Sequence, residues 1–69
     1  MLDQAAVERA AELVIGTQAG WQVMIVRPSG LDAWTISYTT SGRFRTMVIP
    51  VESDTTGADV QRLINERLP

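Results

Sequence analysis

Ala33-Trp34-Thr35-Ile36-Ser37-Tyr38-Thr39-Thr40-Ser41-Gly42-Arg43-Phe44-Arg45-Thr46-Met47-Val48-Ile49-Pro50 is the stretch that decides the fold. Over residues 33–39, Trp34, Ile36 and Tyr38 alternate with Ala33, Thr35, Ser37 and Thr39. A period of two, large and apolar against small and polar, marks a strand with one face buried. Ser41-Gly42 suits the two-residue turn of a hairpin, where the backbone must adopt positive φ. Residues 43–49 then return as a second strand, and Pro50, which has no N–H to donate, ends it or confines it to an edge.

The turn fixes the register, because a slip of one residue would exchange the two faces. Thr40 faces Arg43, Tyr38 faces Arg45, Ile36 faces Met47 and Trp34 faces Ile49. One face then carries Trp34, Ile36, Tyr38, Met47 and Ile49, and the other Thr35, Ser37, Thr39, Phe44, Thr46 and Val48. The first set is larger and more apolar and is assigned to the core. Upstream, the β-branched run over residues 21–27 predicts another strand, followed by a turn at Pro28-Ser29-Gly30. Unbroken alternation there puts Trp21, Val23 and Ile25 into the core and leaves Gln22, Met24 and Val26 outward.

Each end of the chain reads as a helix. Over residues 3–15, Asp3 caps the start, and Val7, Ala10, Ala11 and Val14 follow the i, i+3, i+4, i+7 spacing of one apolar face. Gly16 stands where a left-handed residue is wanted after the helix. Over residues 56–68, Thr56 and Asp59 form a capping box ahead of an apolar stripe of Val60, Leu63, Ile64 and Leu68. The expected architecture is α+β in the order α-β-β-β-α. A three-stranded antiparallel meander carries both helices on one face, in one small domain spanning residues 1–69. Met1 and the closing helix lead us to expect a complete protein.

Composition narrows the chemistry. The 69 residues include no histidine and no cysteine, and all six cations are arginine. The usual neutral-pH base, the thiol nucleophile, the Schiff-base amine and the best metal ligands are therefore missing. Ser29, Ser37, Ser41 and Ser53 have no basic partner to activate them, and all five glycines fall at turns or caps rather than in a phosphate loop. Glu8 and Glu12 lie one helical turn apart but read as a solvated face. Glu52, Asp54 and Asp59 match no calcium-loop spacing. We expect no enzyme, cofactor or metal. Trp21 and Trp34 read as core volume rather than as pocket walls. Arg45, opposite Tyr38, reads as a cross-strand cation–π pair.

Eight acids against six arginines give a net charge of −2, where a non-specific nucleic-acid binder is normally basic. The order of elements resembles that of the double-stranded-RNA-binding domain, at a similar length. That family grips phosphates with lysines at the start of its second helix. The matching stretch here is Asp54-Thr55-Thr56-Gly57-Ala58-Asp59, which is acidic. Small toxin ribonucleases share a similar layout but need a catalytic histidine. The resemblance therefore concerns layout only, and nucleic-acid binding stands as the alternative reading.

No apolar run approaches the ~20 residues of a membrane span. The acidic, amphipathic start differs from a signal peptide, so a cytoplasmic location is expected. A chain this short buries only about 60% of its unfolded surface, and association is a common support for such a core. Two helices cover only one face of three strands, so Met24, Val26, Phe44 and Val48 should remain on the open face. These residues, with Arg43 at the rim, are the expected contacts of a protein-interaction module. Such a module associates with itself as a homodimer or binds a partner protein, with no membrane involved. A phage or mobile-element protein that blocks a host protein would fit this description.

Overall fold

In the computed structural model, which describes residues 2–68, helix α1 (Gln4–Val14) leads into strands β1 (Trp21–Pro28), β2 (Ala33–Thr40) and β3 (Arg43–Pro50), and helix α2 (Gly57–Arg67) follows. The strands form one antiparallel sheet in the order β1-β2-β3. The fold is the α+β arrangement expected from the sequence.

Both helices start where short polar side chains can satisfy amides that have no partner within the helix. Asp3 Oδ1 accepts from the Ala6 amide at 2.9 Å. At α2, Thr56 Oγ1 accepts from the Asp59 amide at 3.2 Å, and Asp59 Oδ2 accepts from the Thr56 amide at 3.0 Å. The capping box is complete even though aspartate replaces the longer glutamate. Gly16 departs from expectation, because its φ is not positive. The chain instead continues into a further turn, and a Cβ at Gly16 would lie 2.7 Å from the Glu12 carbonyl oxygen. Close approach, rather than a left-handed conformation, explains glycine there.

The hairpin follows the predicted register in full, with Thr40 opposite Arg43 and Trp34 opposite Ile49. Ser41 and Gly42 have φ of 51° and 88°, the pair of positive values that a type I′ turn requires. Pro50 is the last residue of an edge strand, as its missing N–H demands.

Strand β1 corrects the expectation of unbroken alternation. Val23 pairs with Tyr38 and Ile25 with Ser37, so Met24 is an extra residue in a β-bulge. Beyond it the faces exchange. Val26, opposite Ile36, is only 4% exposed, whereas Ile25, expected in the core, is 48% exposed. Unbroken alternation would have turned Arg27 onto the helix side of the sheet along with Ile25. The bulge replaces Ile25 and Arg27 on the inner face with Val26 and Pro28, which lie opposite Ile36 and Trp34.

The core lies between the helices and the inner face of the sheet. Val7, Ala10, Ala11 and Ile15 meet Val60 and Ile64 above Val26, Ile36, Tyr38, Met47 and Ile49, and Trp21, Val23 and Trp34 pack around them. Helix α1 lies against β1 and α2, and α2 lies against β3. Among the described residues, no helix covers the other face of the sheet.

Candidate functional site

The uncovered face is built in three cross-strand rows. Gln22, Thr39 and Phe44 form one, Ile25, Ser37 and Thr46 the next, and Arg27, Thr35 and Val48 the third. The central strand supplies only Thr and Ser, which are short. Ser37 is buried although no helix covers it, because neighbouring strands flank it on both sides. The result is a shallow polar trough, roughly two strand spacings or about 10 Å across, with apolar residues along its sides. Phe44 is 67% exposed, Val48 50% and Met24, at the bulge, 52%. Solvated apolar side chains are ordinary one at a time, but a group around one trough marks a contact surface.

Of the residues singled out from the sequence, Met24, Phe44 and Val48 are exposed as expected. Val26 is not, since the bulge carries it into the core, and Ile25 takes its place on the open face. The apolar pattern of β1 carries no signal of this exchange. Arg43 is exposed beside the hairpin turn, but it shares its face with Tyr38 and Met47 and points to the other side of the sheet from Phe44. It therefore lies outside the open face. The expected Arg45–Tyr38 stack does not form. Arg45 Nε donates to Thr40 Oγ1 at 3.1 Å, and the aromatic neighbour of Tyr38 is Trp21, with ring centroids 6.4 Å apart.

Two depressions lie elsewhere. One, of about 520 Å³, opens at the end of the sheet between Pro28, Leu31, Trp34 and Val51, with Asp32 and Glu52 at its margin. Trp34 therefore lines a cleft as well as the core. The other, of about 340 Å³, is bordered by Asp54, Asp59 and Arg62. Among the described residues its one cation is already engaged: Arg62 lies 3.5 Å from Asp59 and from Glu66. Asp59 also serves the α2 cap. The Thr56 amide first, and then the Thr56 hydroxyl, hold its carboxyl below the ordinary value of 3.8; desolvation opposes them, and Arg62 adds a smaller lowering effect. On α1, Glu8 accepts from Gln4 Nε2 at 3.1 Å on an exposed surface.

No described helix is long and apolar enough to cross a membrane. Compared with known proteins, the chain matches no family model, no curated protein and no solved structure.

Proposed function

We propose that this chain is a non-catalytic protein-interaction module that makes contact through the uncovered face of its sheet. The observation that carries the reading is the exposure of Phe44, Val48, Ile25 and Met24, each roughly half exposed or more, on or beside a face without a helix. The Thr and Ser floor between them suits a polypeptide partner, because it offers hydroxyls to a backbone while the apolar walls exclude water. In this reading the partner is met in the cytoplasm. Nucleic-acid binding has less support. Arg43 and Arg45 lie on the opposite face from Phe44, so aromatic stacking and phosphate contacts do not share a surface, and α2 begins with acidic residues.

Site-specific photo-cross-linking in the native cell tests the reading. A photoreactive phenylalanine analogue at Phe44 should give discrete protein adducts, and the same analogue at Glu8, on the exposed side of α1, should not. Adducts that are absent at Phe44, or equally abundant at Glu8, would remove the open face as the contact surface.

A further inference from the structure

The two edges of the sheet are not equivalent. Strand β1 is interrupted by the bulge at Met24, a feature that blunts an edge against further pairing. Strand β3 pairs with β2 in regular register over its whole length, from Arg43 to Pro50. The two-residue turn closes on Thr40 and Arg43, so the ladder to β2 takes the backbone groups of Arg43, Arg45, Met47 and Ile49. The N–H and C=O groups of Phe44, Thr46 and Val48 therefore point away from the sheet. Among the described residues no turn, cap or loop bond takes them up. Pro50, next in the same series, has no N–H to offer.

We propose that the partner on this edge is a second copy of the chain. Its β3 adds antiparallel to the first across a two-fold axis at Thr46, giving a continuous six-stranded sheet. This rests on the interaction reading above and names the partner. Sequence and charge select the register. With Thr46 opposite Thr46 of the second copy, Phe44 faces Val48 across the axis twice, an aromatic–β-branched pairing that stabilises antiparallel sheets. Arg43 then faces Ile49, and Arg45 faces Met47. A pairing centred on Arg45 would set it against its own copy, and one centred on Phe44 would oppose Arg43 to Arg45. The basic first half of β3 instead lies along the uncharged far end of the second β3, Met47 to Pro50, so no arginine meets another. Pro50 falls opposite Gly42, just past the last bonding pair, where an N–H is not needed. Three pairs remain, at Phe44, Thr46 and Val48, and they exchange about six backbone hydrogen bonds. An interface this narrow predicts micromolar rather than nanomolar association.

Sedimentation equilibrium of the full chain, from about 1 µM to about 1 mM, should show the mass rising from 7.6 kDa toward twice that value. Thr46→Pro removes an N–H that β2 does not use. It should therefore keep the wild-type circular dichroism while remaining at 7.6 kDa throughout. Should Thr46→Pro unfold, Thr46→Cys decides the matter. The natural chain has no cysteine, and residues opposed in a bonding pair lie about 5.5 Å apart, within disulfide reach. Mild oxidation should link Thr46→Cys into dimers at least tenfold faster than Ser53→Cys. Three results would overturn the proposal: a monomer at every concentration, a dimer that survives in folded Thr46→Pro, or equal oxidation rates for the two thiol variants. A monomer that still cross-links through Phe44 to another protein would end this proposal and leave the interaction reading standing. A monomer without such adducts would end both.

Discussion

The exchange of Ile25 and Val26 across the β1 bulge can be measured as a difference in stability. Val26→Ala removes two carbons from a side chain that is 4% exposed. At ~0.8 kcal/mol per buried carbon the transfer loss is about 1.6 kcal/mol, and the cavity left beside Ile36 brings the total to about 2–2.5 kcal/mol. Ile25→Ala removes three carbons, but that side chain is 48% exposed and leaves no enclosed void. Its cost is about 1 kcal/mol. Unbroken alternation demands the reverse order, with Ile25→Ala costing about 3 kcal/mol and Val26→Ala close to nothing.

Urea unfolding followed by the fluorescence of Trp21 and Trp34 separates the two cases. A chain of this size has an m-value near ~1 kcal/mol/M, so the midpoint should fall by about 2 M for Val26→Ala and about 1 M for Ile25→Ala. All proteins should be compared at one low concentration, because association adds concentration-dependent stability. Deleting Met24 completes the set. It restores unbroken alternation while keeping Val26 inward and Arg27 outward, so the shortened chain should still unfold cooperatively. An Ile25→Ala variant less stable than Val26→Ala, or a Met24 deletion that abolishes folding, would refute the face assignment and with it the place of Ile25 on the contact surface.

The α2 cap and the hairpin turn give three further expectations. Thr56→Ala should lower stability by about 1 kcal/mol in the same unfolding assay, because it leaves the Asp59 amide without its acceptor. Asp59 titrates below 3.8 in the folded protein, so its contribution is present above that pH and is lost as the pH falls through the lower, folded-state value. Acid unfolding of wild type and Asp59→Asn should accordingly converge as the pH falls well below 3.8, and a stability difference that persists in strong acid would contradict the cap as its source. Gly42→Ala places a Cβ at φ 88°, where no neighbouring atom lies within 4 Å, so the backbone alone is strained and the cost should be about 1–2 kcal/mol. A cost near zero would mean that the turn is not type I′.

The hairpin was legible because several local signals agree. Trp34, Ile36 and Tyr38 alternate, Ser41-Gly42 accepts positive φ, and Pro50 stands where an edge strand ends. Helix positions were legible from their caps, since Asp3 and Thr56 each precede an apolar stripe of helical period. Strand β1 was misread because periodicity counts only which residues are apolar. Ile25 and Val26 are nearly interchangeable on that measure, so periodicity does not place the extra residue at Met24. The end of α1 was misread for a similar reason: Gly16 fits a left-handed cap by position, but the contact that excludes a side chain there comes from Glu12, one turn back. At the candidate site, Phe44 and Val48 followed from the hairpin register and Met24 from strand position. Ile25 does not follow from strand alternation, because the bulge at Met24 exchanges the faces beyond it.

The bulge also separates the two ways in which this sheet can meet a partner. It turns Ile25 onto the same face as Phe44 and Val48, and it blunts the β1 edge while β3 stays regular. If two copies join along β3, the central rows of the two sheets align through Thr46 and run from Ile25 to Ile25 of the second copy across Ser and Thr. Two apolar clusters, each made of Phe44 from one copy and Val48 from the other, then flank this polar line. Pairing along the edge shields the sides of these residues but leaves their tops facing solvent. Edge pairing and face contact are therefore additive rather than competing. Thr46→Pro acts chiefly on the edge, removing only one hydroxyl from the open face, whereas Phe44→Asp acts on both, since it removes an apolar wall and places a charge opposite Val48. A partner that binds the face should tolerate Thr46→Pro apart from the loss of bivalence and should be released by Phe44→Asp. The reverse order of sensitivity would place the contact on the backbone edge and leave the apolar side chains without a role in binding.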